Sequence, residues 1–372
     1  MMTARLMVAD SERDANMLYA TRLFVPDPFI WFEWRGKSHA VMSDLEVDRA
    51  RKQARVDRVL PFTRYHKLLK RDGVRQPSFS DVLNRILREF RIRSVEVPDN
   101  FPIGLAKQLG DIRVAVKPNP FFPEREIKTP AEVAKLAAAM RLAEAGMQSA
   151  VNALRRSRIG RDGFLYRRKK KLTAEDVQGL INATIAGLGG IASHTIVACG
   201  NQGCDPHEGG HGALRAHATV ILDIFPRDTH TGYCGDITRT VVRGRASEAV
   251  KKLYSVVGMG QRLAFQKLRA GVNGRDVHGA IQQLFTKEGY RTGRVRGRMQ
   301  GFFHGTGHGL GLDVHERPRV STASEVLRAG HVVTVEPGLY YWGVGGVRLE
   351  DVAVVQQNGA RNLARFPKTL EI

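Results

Sequence analysis

Four carboxylates in this 372-residue chain stand in sequence that otherwise favours buried strands. The runs ATVILDIF and GYCGDITRTVV place Asp223 and Asp236 among apolar and β-branched residues, and the intervening PRDTHTG suits a hairpin. HVVTVEPGLYY and GVRLEDVAVV do the same with Glu336 and Glu350. An unpaired carboxylate buried in a strand is strongly destabilising, so each needs a compensating charge. Arg239 and Arg348 are close in sequence and are the candidates for ion pairing. Two guanidinium groups leave four clustered acids short of charge, whereas two divalent cations balance them. A fifth donor is available in FFHGTGHGLGLDVHERP, residues 302–318, which carries His304, His308 and His315. Oxygen donors joined by an imidazole suit manganese, cobalt, iron or zinc better than a thiolate-selecting metal. Gly307 and Gly309 flank His308 and would let the backbone approach a crowded pair of ions. A dinucleotide-binding loop would instead need a strand before it and a helix after it, and VHERP offers no such helix.

Ligands drawn from such distant segments need a frame, and the rest of the sequence supplies one. Residues 1 to about 118 mix strand-like runs (RLFVPDPFIWFEW, HAVMSDLEV) with helical ones (SFSDVLNRILREF), which reads as a small α/β domain. KPNPFFPEREIKTP is rich in proline, lacks periodicity and reads as a linker, dividing the chain into residues 1–125 and 126–372. Thr129, Pro130 and Glu132 then form a capping-box helix start, and Val133, Leu136, Met140, Ala143, Met147, Ala150 and Leu154 mark one buried face. Thr173 caps a second helix, and three strand-like runs follow. The order recurs from Ser247 onward: long helix, shorter helix, then strands. The second domain therefore reads as an internal duplication with a cleft along its pseudo-twofold axis.

Composition limits the alternatives. No apolar run is long enough to span a membrane, and the N-terminus breaks its apolar character with Asp, Ser, Glu and Arg, so a cytoplasmic protein without export signal is expected. Cys199, Cys204 and Cys234 are odd in number and read as free thiols of a reducing compartment. The absence of a Gly-x-Ser-x-Gly elbow argues against a serine hydrolase. The formal charge of +21 is concentrated in RRSRIGRDGFLYRRKKK, residues 155–171, with nine basic residues against one Asp. It reads as a solvated, mobile block; nucleic acid or another polyanion is the lesser reading, because aromatics barely interleave it.

The order Asp223, Asp236, His308, Glu336, Glu350, in the contexts LDI, GYCGDITRT, GTGHGLG, VEPGLY and VRLED, resembles the five-ligand site of the pita-bread metallopeptidases. That family includes methionine aminopeptidases, prolidases and Xaa-Pro aminopeptidases, and the N-terminal region resembles the creatinase-type domain of its proline-specific branch. The resemblance implies an α/β N-terminal domain before an α+β pita-bread catalytic domain. It implies two divalent ions, manganese favoured over cobalt or zinc, with Asp223 on one, Asp236 and Glu350 bridging, and His308 with Glu336 on the other. A metal-bridging hydroxide would attack the first peptide carbonyl of an Xaa-Pro peptide, and Glu336 would relay the proton to the leaving nitrogen. His207, His304 and His315 match histidines on the family's substrate side, and Arg348 would hold the bridging acids in place. A homodimer is expected on the same grounds. The sequence departs from the family at Asp223-Ile224-Phe225, where Asp-x-Gly is usual, and in CDPHEGGHG around His207. Creatinase-like hydrolysis of a non-peptide C–N bond is the competing activity, and retention of the complete ligand set counts against it.

Overall fold

A computed structural model describes residues 2–372 and divides the chain into two compact units, Met1–Arg125 and Glu126–Ile372. The first unit contains β1 (Ala4–Ala9), α1 (Ala15–Thr21), β2 (Phe29–Trp34), β3 (Lys37–Met42), α2 (Val47–Gln53) and β4 (Arg58–Pro61). It continues with α3 (Phe62–Arg71), α4 (Phe79–Glu89), β5 (Ser94–Pro98), α5 (Ile103–Ala106) and β6 (Arg113–Lys117). The strands form one mixed sheet in the order β4-β3-β2-β1-β5-β6. Side chains alternate across a strand, so Leu6, Ile30 and Phe32 enter one core with Leu83 and Ile86 of α4, while Met7, Trp31 and Ala40 enter another. Phe121 and Phe122, in the passage expected to be a linker, complete that second core at 0% and 3% exposure. Burying two aromatic rings there outweighs the freedom of a linker.

The second unit opens with α6 (Pro130–Arg155). Thr129 Oγ1 accepts the Glu132 amide at 3.3 Å and the Glu132 carboxylate accepts the Thr129 amide at 2.9 Å, closing the capping box. All seven apolar positions expected to mark its buried face are buried. A three-stranded ribbon, β7 (Arg158–Ile159), β8 (Leu165–Arg167) and β9 (Lys170–Lys171), follows. The block expected to be mobile is thus folded, pinned by Leu165 and Leu172 at 0% and 1% exposure. Next come α7 (Ala174–Gly187), capped by Thr173, then β10 (Gly190–Ile191), β11 (Ile196–Cys199), β12 (Thr219–Ile224), β13 (Arg227–Asp228) and β14 (Ile237–Val242). β10 pairs with β13, and β11-β12-β14 form an antiparallel sheet.

The pattern then repeats. Helices α8 (Glu248–Lys267) and α9 (Gly274–Lys287) precede the hairpin of β15 (Gly293–Val295) and β16 (Arg298–Gln300). They are followed by β17 (Gly307–Gly309), β18 (Glu316–Val320), β19 (Val332–Val335), β20 (Gly338–Tyr341), β21 (Gly345–Arg348), β22 (Asp351–Gln356) and β23 (Gly359–Asn362). Strands β17-β19-β22 are antiparallel neighbours, matching β11-β12-β14, and β18 and β23 extend that sheet. Two helices and a three-stranded antiparallel core therefore occur twice in the same order. The two sheets meet where the Glu350 amide donates to Thr238 O at 3.0 Å and the Arg348 amide to Thr240 Oγ1 at 3.0 Å.

Candidate metal centre

Only Asp223 lies within a strand; Asp236 immediately precedes β14, Glu336 follows β19 and Glu350 precedes β22. The expected second hairpin is also divided. β20 and β21 make the tight turn, while β19 and β22 pair around it. Strand ends free Asp236, Glu336 and Glu350 from the ladder, whereas Asp223 stays in it opposite Ile196 and Thr238; all four side chains turn to the same side. They reach the floor of a cleft of about 1190 Å³, which His207, His304, His308, His315 and Arg348 also line.

Asp236, His308 and Glu350 each offer a ligand atom within 4.8 Å of the others, and all three are buried. His308 Nδ1 donates to Gly309 O at 3.1 Å, which turns Nε2 toward the acids, 3.3 Å from Glu336 Oε1 and 3.9 Å from Asp236 Oδ2. Thr334 Oγ1 accepts the His308 amide at 3.0 Å and donates to Glu336 Oε1 at 3.2 Å, holding the backbone at His308 and the Glu336 side chain from one strand. Thr238 Oγ1 donates to Glu350 Oε2 at 2.7 Å. Asp223 stands apart from the cluster of three: Arg348 Nη2 donates to its Oδ2 at 2.6 Å, while its buried Oδ1 has no hydrogen-bond partner among the described residues.

The electrostatics leave this cluster short of positive charge. Burial, then the Asp223 charge, pushes Asp236 well above the usual carboxylate range. Burial, then Asp236, Glu336 and Asp223, does the same to Glu350. Asp223 is raised by burial despite Arg348. Burial would raise Glu336 too, but the His308 hydrogen bond and charge carry it down to about 2. Burial opposes charge on His308, yet Glu336 and Asp236 raise it. Three acids held toward neutrality, one orphaned carboxylate oxygen and an imidazole nitrogen aimed at them fit divalent cations, whose charge would let every group ionise.

The two arginines do not act as a pair on these acids. Arg239 crosses to Asp351 at 2.8 Å and to the carbonyls of Thr238 and Phe366 at 2.9 and 2.7 Å, bracing the back of the site. Arg348 reaches Asp223, not Asp236 or Glu350; toward those it extends Nε, which donates to Thr238 Oγ1 at 3.3 Å. The glycines beside His308 admit neighbouring backbone. A Cβ on Gly307 would lie 1.9 Å from Thr334 O, and one on Gly309 would lie 2.2 Å from Arg317 O. They permit close approach of neighbouring strands.

His304 is half-buried; Nδ1 donates to Gly305 O at 2.8 Å, so Nε2 accepts from Tyr340 O–H at 2.9 Å. Tyr340 in turn accepts from Arg348 Nη1 at 3.1 Å. His315 is exposed, edge-on to His308 with ring centroids 4.4 Å apart. Burial, first, takes His304 and His315 each down to about 4, so both are neutral near pH 7. His207 is exposed on the cleft wall, its amide donating to Asp205 Oδ1 at 3.1 Å. Thr238, Thr334 and Tyr340 escaped the sequence reading. The two-residue step from Asp236 to Thr238 and Thr240, one strand face, was a usable signal; Tyr340 offered none.

Residues 134–357 match metallopeptidase family M24. An uncharacterized peptidase of Bacillus subtilis is 41% identical over 178 residues, 48% of either chain. A Xaa-Pro dipeptidase of Pyrococcus horikoshii is 28% identical over 285 residues, 75% of either chain. Among solved structures, the Xaa-Pro dipeptidase of Bacillus anthracis superimposes with a TM-score of 0.82 at 24% identity, over 99% of this chain and 95% of that one.

Proposed function

As the chain belongs to metallopeptidase family M24 and carries its pita-bread fold, we propose that it is a metal-dependent peptidase that releases the N-terminal residue from Xaa-Pro peptides or dipeptides. The observation that carries the reading is the convergence of Asp236, His308 and Glu350, with Glu336 against His308 and Asp223 beside Arg348, on one cleft floor. Asp236, Glu350 and His308 would hold divalent cations, flanked by Asp223 on one side and Glu336 on the other. Such cations, when bound, supply Lewis acidity toward a peptide carbonyl and lower the pKa of a coordinated water toward neutrality.

The chain's own side chains do the rest. Glu336 remains ionised at any physiological pH and can receive a proton and pass it to the leaving nitrogen. The chain from Arg348 to Tyr340 to His304 fixes the tautomer and orientation of that imidazole beside the substrate. His315 and His207 also line the cleft and can donate to the carbonyl oxygen as it gains charge. Phe225, Phe303 and Val314 give the cleft the apolar surface that a pyrrolidine ring needs. The names of similar proteins support the substrate class, among them the Pyrococcus horikoshii dipeptidase.

Manganese as the ion, two ions per site, a homodimer and a cytoplasmic location complete the reading, and these rest on the family resemblance and on three free cysteines. The test is turnover of Xaa-Pro dipeptides and longer Xaa-Pro peptides by purified protein supplied with manganese, cobalt or zinc, together with metal analysis. Hydrolysis at the Xaa-Pro bond is expected. Absence of turnover with every ion and every peptide length would remove the proposal, and cleavage of a non-peptide C–N bond alone would replace it.

A further inference from the structure

The folded ribbon at residues 158–171 collects charge from elsewhere in the chain. The Leu165 amide donates to Leu214 O at 2.9 Å and the Leu214 amide to Leu172 O at 2.9 Å, which sews the ribbon to the segment carrying Arg215. The His217 amide donates to Arg243 O at 2.9 Å, and Arg243 Nη2 donates to Ser157 O at 3.1 Å, which brings Arg243 and Arg245 to the same end of the unit. Three arginines distant in sequence thereby join the nine basic residues of 155–171. All nine are exposed, as are Arg215 and Arg245. Among the described residues, one ion pair answers this charge within the ribbon, Lys171 with Asp162 at 3.1 Å.

The patch is not part of the cleft. Arg215 donates its amide to Cys199 Sγ at 3.4 Å, whereas Asp223 lies opposite Ile196. Three steps along β11, about 10 Å of strand, separate the two ends. Crowded, exposed positive charge of this kind raises the energy of the folded state and attracts a polyanion. The ribbon bears none of the exposed large apolar residues of the unit, such as Leu188, Ile191 and Val295, so it offers no wedge for a lipid surface. Its two aromatic rings are capped by cations. Lys171 and Arg215 lie 3.8 and 4.7 Å from the Phe164 centroid, and Arg158 lies 5.1 Å from that of Tyr166. Rings occupied in this way do not stack on unpaired bases, which single-strand binding would require. What remains is a narrow, arginine-rich β-ribbon suited to phosphodiester backbones flanking a groove.

We infer that the ribbon Arg158–Lys171, together with Arg215 and Arg245, is a sequence-independent docking surface for double-stranded nucleic acid. The activity of the cleft does not depend on it. The test is fluorescence anisotropy of the full chain with labelled 20-base-pair DNA and RNA duplexes of two unrelated sequences. With about four to six phosphates contacted, affinity should fall on the order of 10²–10³-fold between 50 and 200 mM salt and be indifferent to sequence. The variant Arg161→Gln, Arg167→Gln, Lys169→Gln, Lys170→Gln should bind at least about 10-fold more weakly at 100 mM salt, with Xaa-Pro hydrolysis unchanged. A control removes the same charge from the first unit: Lys52→Gln, Lys67→Gln, Lys70→Gln, Lys107→Gln; it should bind as the parent does. DNA and RNA arms identify the duplex, and either supports the inference. It is overturned if the parent fails to bind at 50 mM salt, or if the ribbon variant and the control weaken binding equally. Tighter binding to single strands, phosphatidylglycerol vesicles or polyglutamate than to duplexes also overturns it.

Discussion

Lys128 Nζ donates to Glu316 Oε2 at 2.7 Å, with the two side chains 2% and 8% exposed, so a buried ion pair ties the entrance of α6 to the turn after β17. Glu316 Oε1 meanwhile accepts the amides of Leu312 and Asp313 at 3.0 and 3.2 Å. The turn so clamped carries His315, and its Gly311 carbonyl accepts the Cys234 amide at 2.9 Å, two residues before Asp236. The pair thus holds a histidine of the cleft and the approach to a candidate ligand in one frame.

Removing one partner leaves the other charge buried. Lys128→Met is expected to lower stability by about 3–5 kcal/mol and to reduce kcat more than KM, through a displaced His315. Urea unfolding and steady-state kinetics on an Xaa-Pro peptide check this. A loss below about 1 kcal/mol, the range of a solvated pair, would show that water reaches Glu316.

Asp236 is raised toward its neutral form by burial and by Asp223, and asparagine imitates that form. Asp236→Asn should therefore leave the chelator-treated protein as stable as the parent, or more so. Its affinity for manganese or zinc should fall by more than the roughly 10–100-fold that loss of a ligand's outer partner causes. Titration calorimetry and thermal unfolding with and without the ion separate the two effects. Full stabilisation of this variant by the ion would move the site elsewhere.

Gly307 sits where a Cβ would meet Thr334 O at 1.9 Å, so Gly307→Ala must part β17 from β19. His308 rides on β17, and its imidazole should shift from Asp236 and Glu350 although no ligand is removed. We expect weakened ion binding together with a destabilisation of about 1–3 kcal/mol, the range of overpacking. Unaltered ion affinity would mean that the strand yields without moving His308.

His331 is 1% exposed and accepts the Arg328 amide on Nδ1 at 3.0 Å. Burial, then the charges of Arg328 and Lys128, carries it from an ordinary value of 6.5 to about 4. The unfolded chain therefore binds more protons between those values. Stability is whole above pH 6.5 and falls by up to ~3 kcal/mol as pH drops toward 4. His331→Asn retains an acceptor for Arg328 and cannot titrate, so its stability should fall less over that interval in denaturant titrations. Parallel curves for the two proteins would exclude His331 as the source.

Local chemistry made much of this protein legible. Thr129 with Glu132, and the buried stripe from Val133 to Leu154, specify α6 because capping and 3.6-residue periodicity act within a few residues. Asp223, Asp236, Glu336 and Glu350 announced themselves by being acids in apolar, strand-like runs of sequence, although only Asp223 proved to lie within a strand, and the repeated helix-helix-strand order announced the duplication. The partners were not legible. Arg239 turned to Asp351, and Arg348, among the four acids, to Asp223, since those choices depend on how β14 meets β22 and how β12 meets β21 across more than a hundred residues. Gly307 and Gly309 could be seen as permissive, but the strands they admit could not. A charged block that reads as solvated became a ribbon because Leu165 and Leu172 found a wall in the segment around Leu214. Sequence determined which residues could do chemistry. Tertiary structure decided which of them meet, because register and packing between remote strands are set by the whole core and by no short stretch of it.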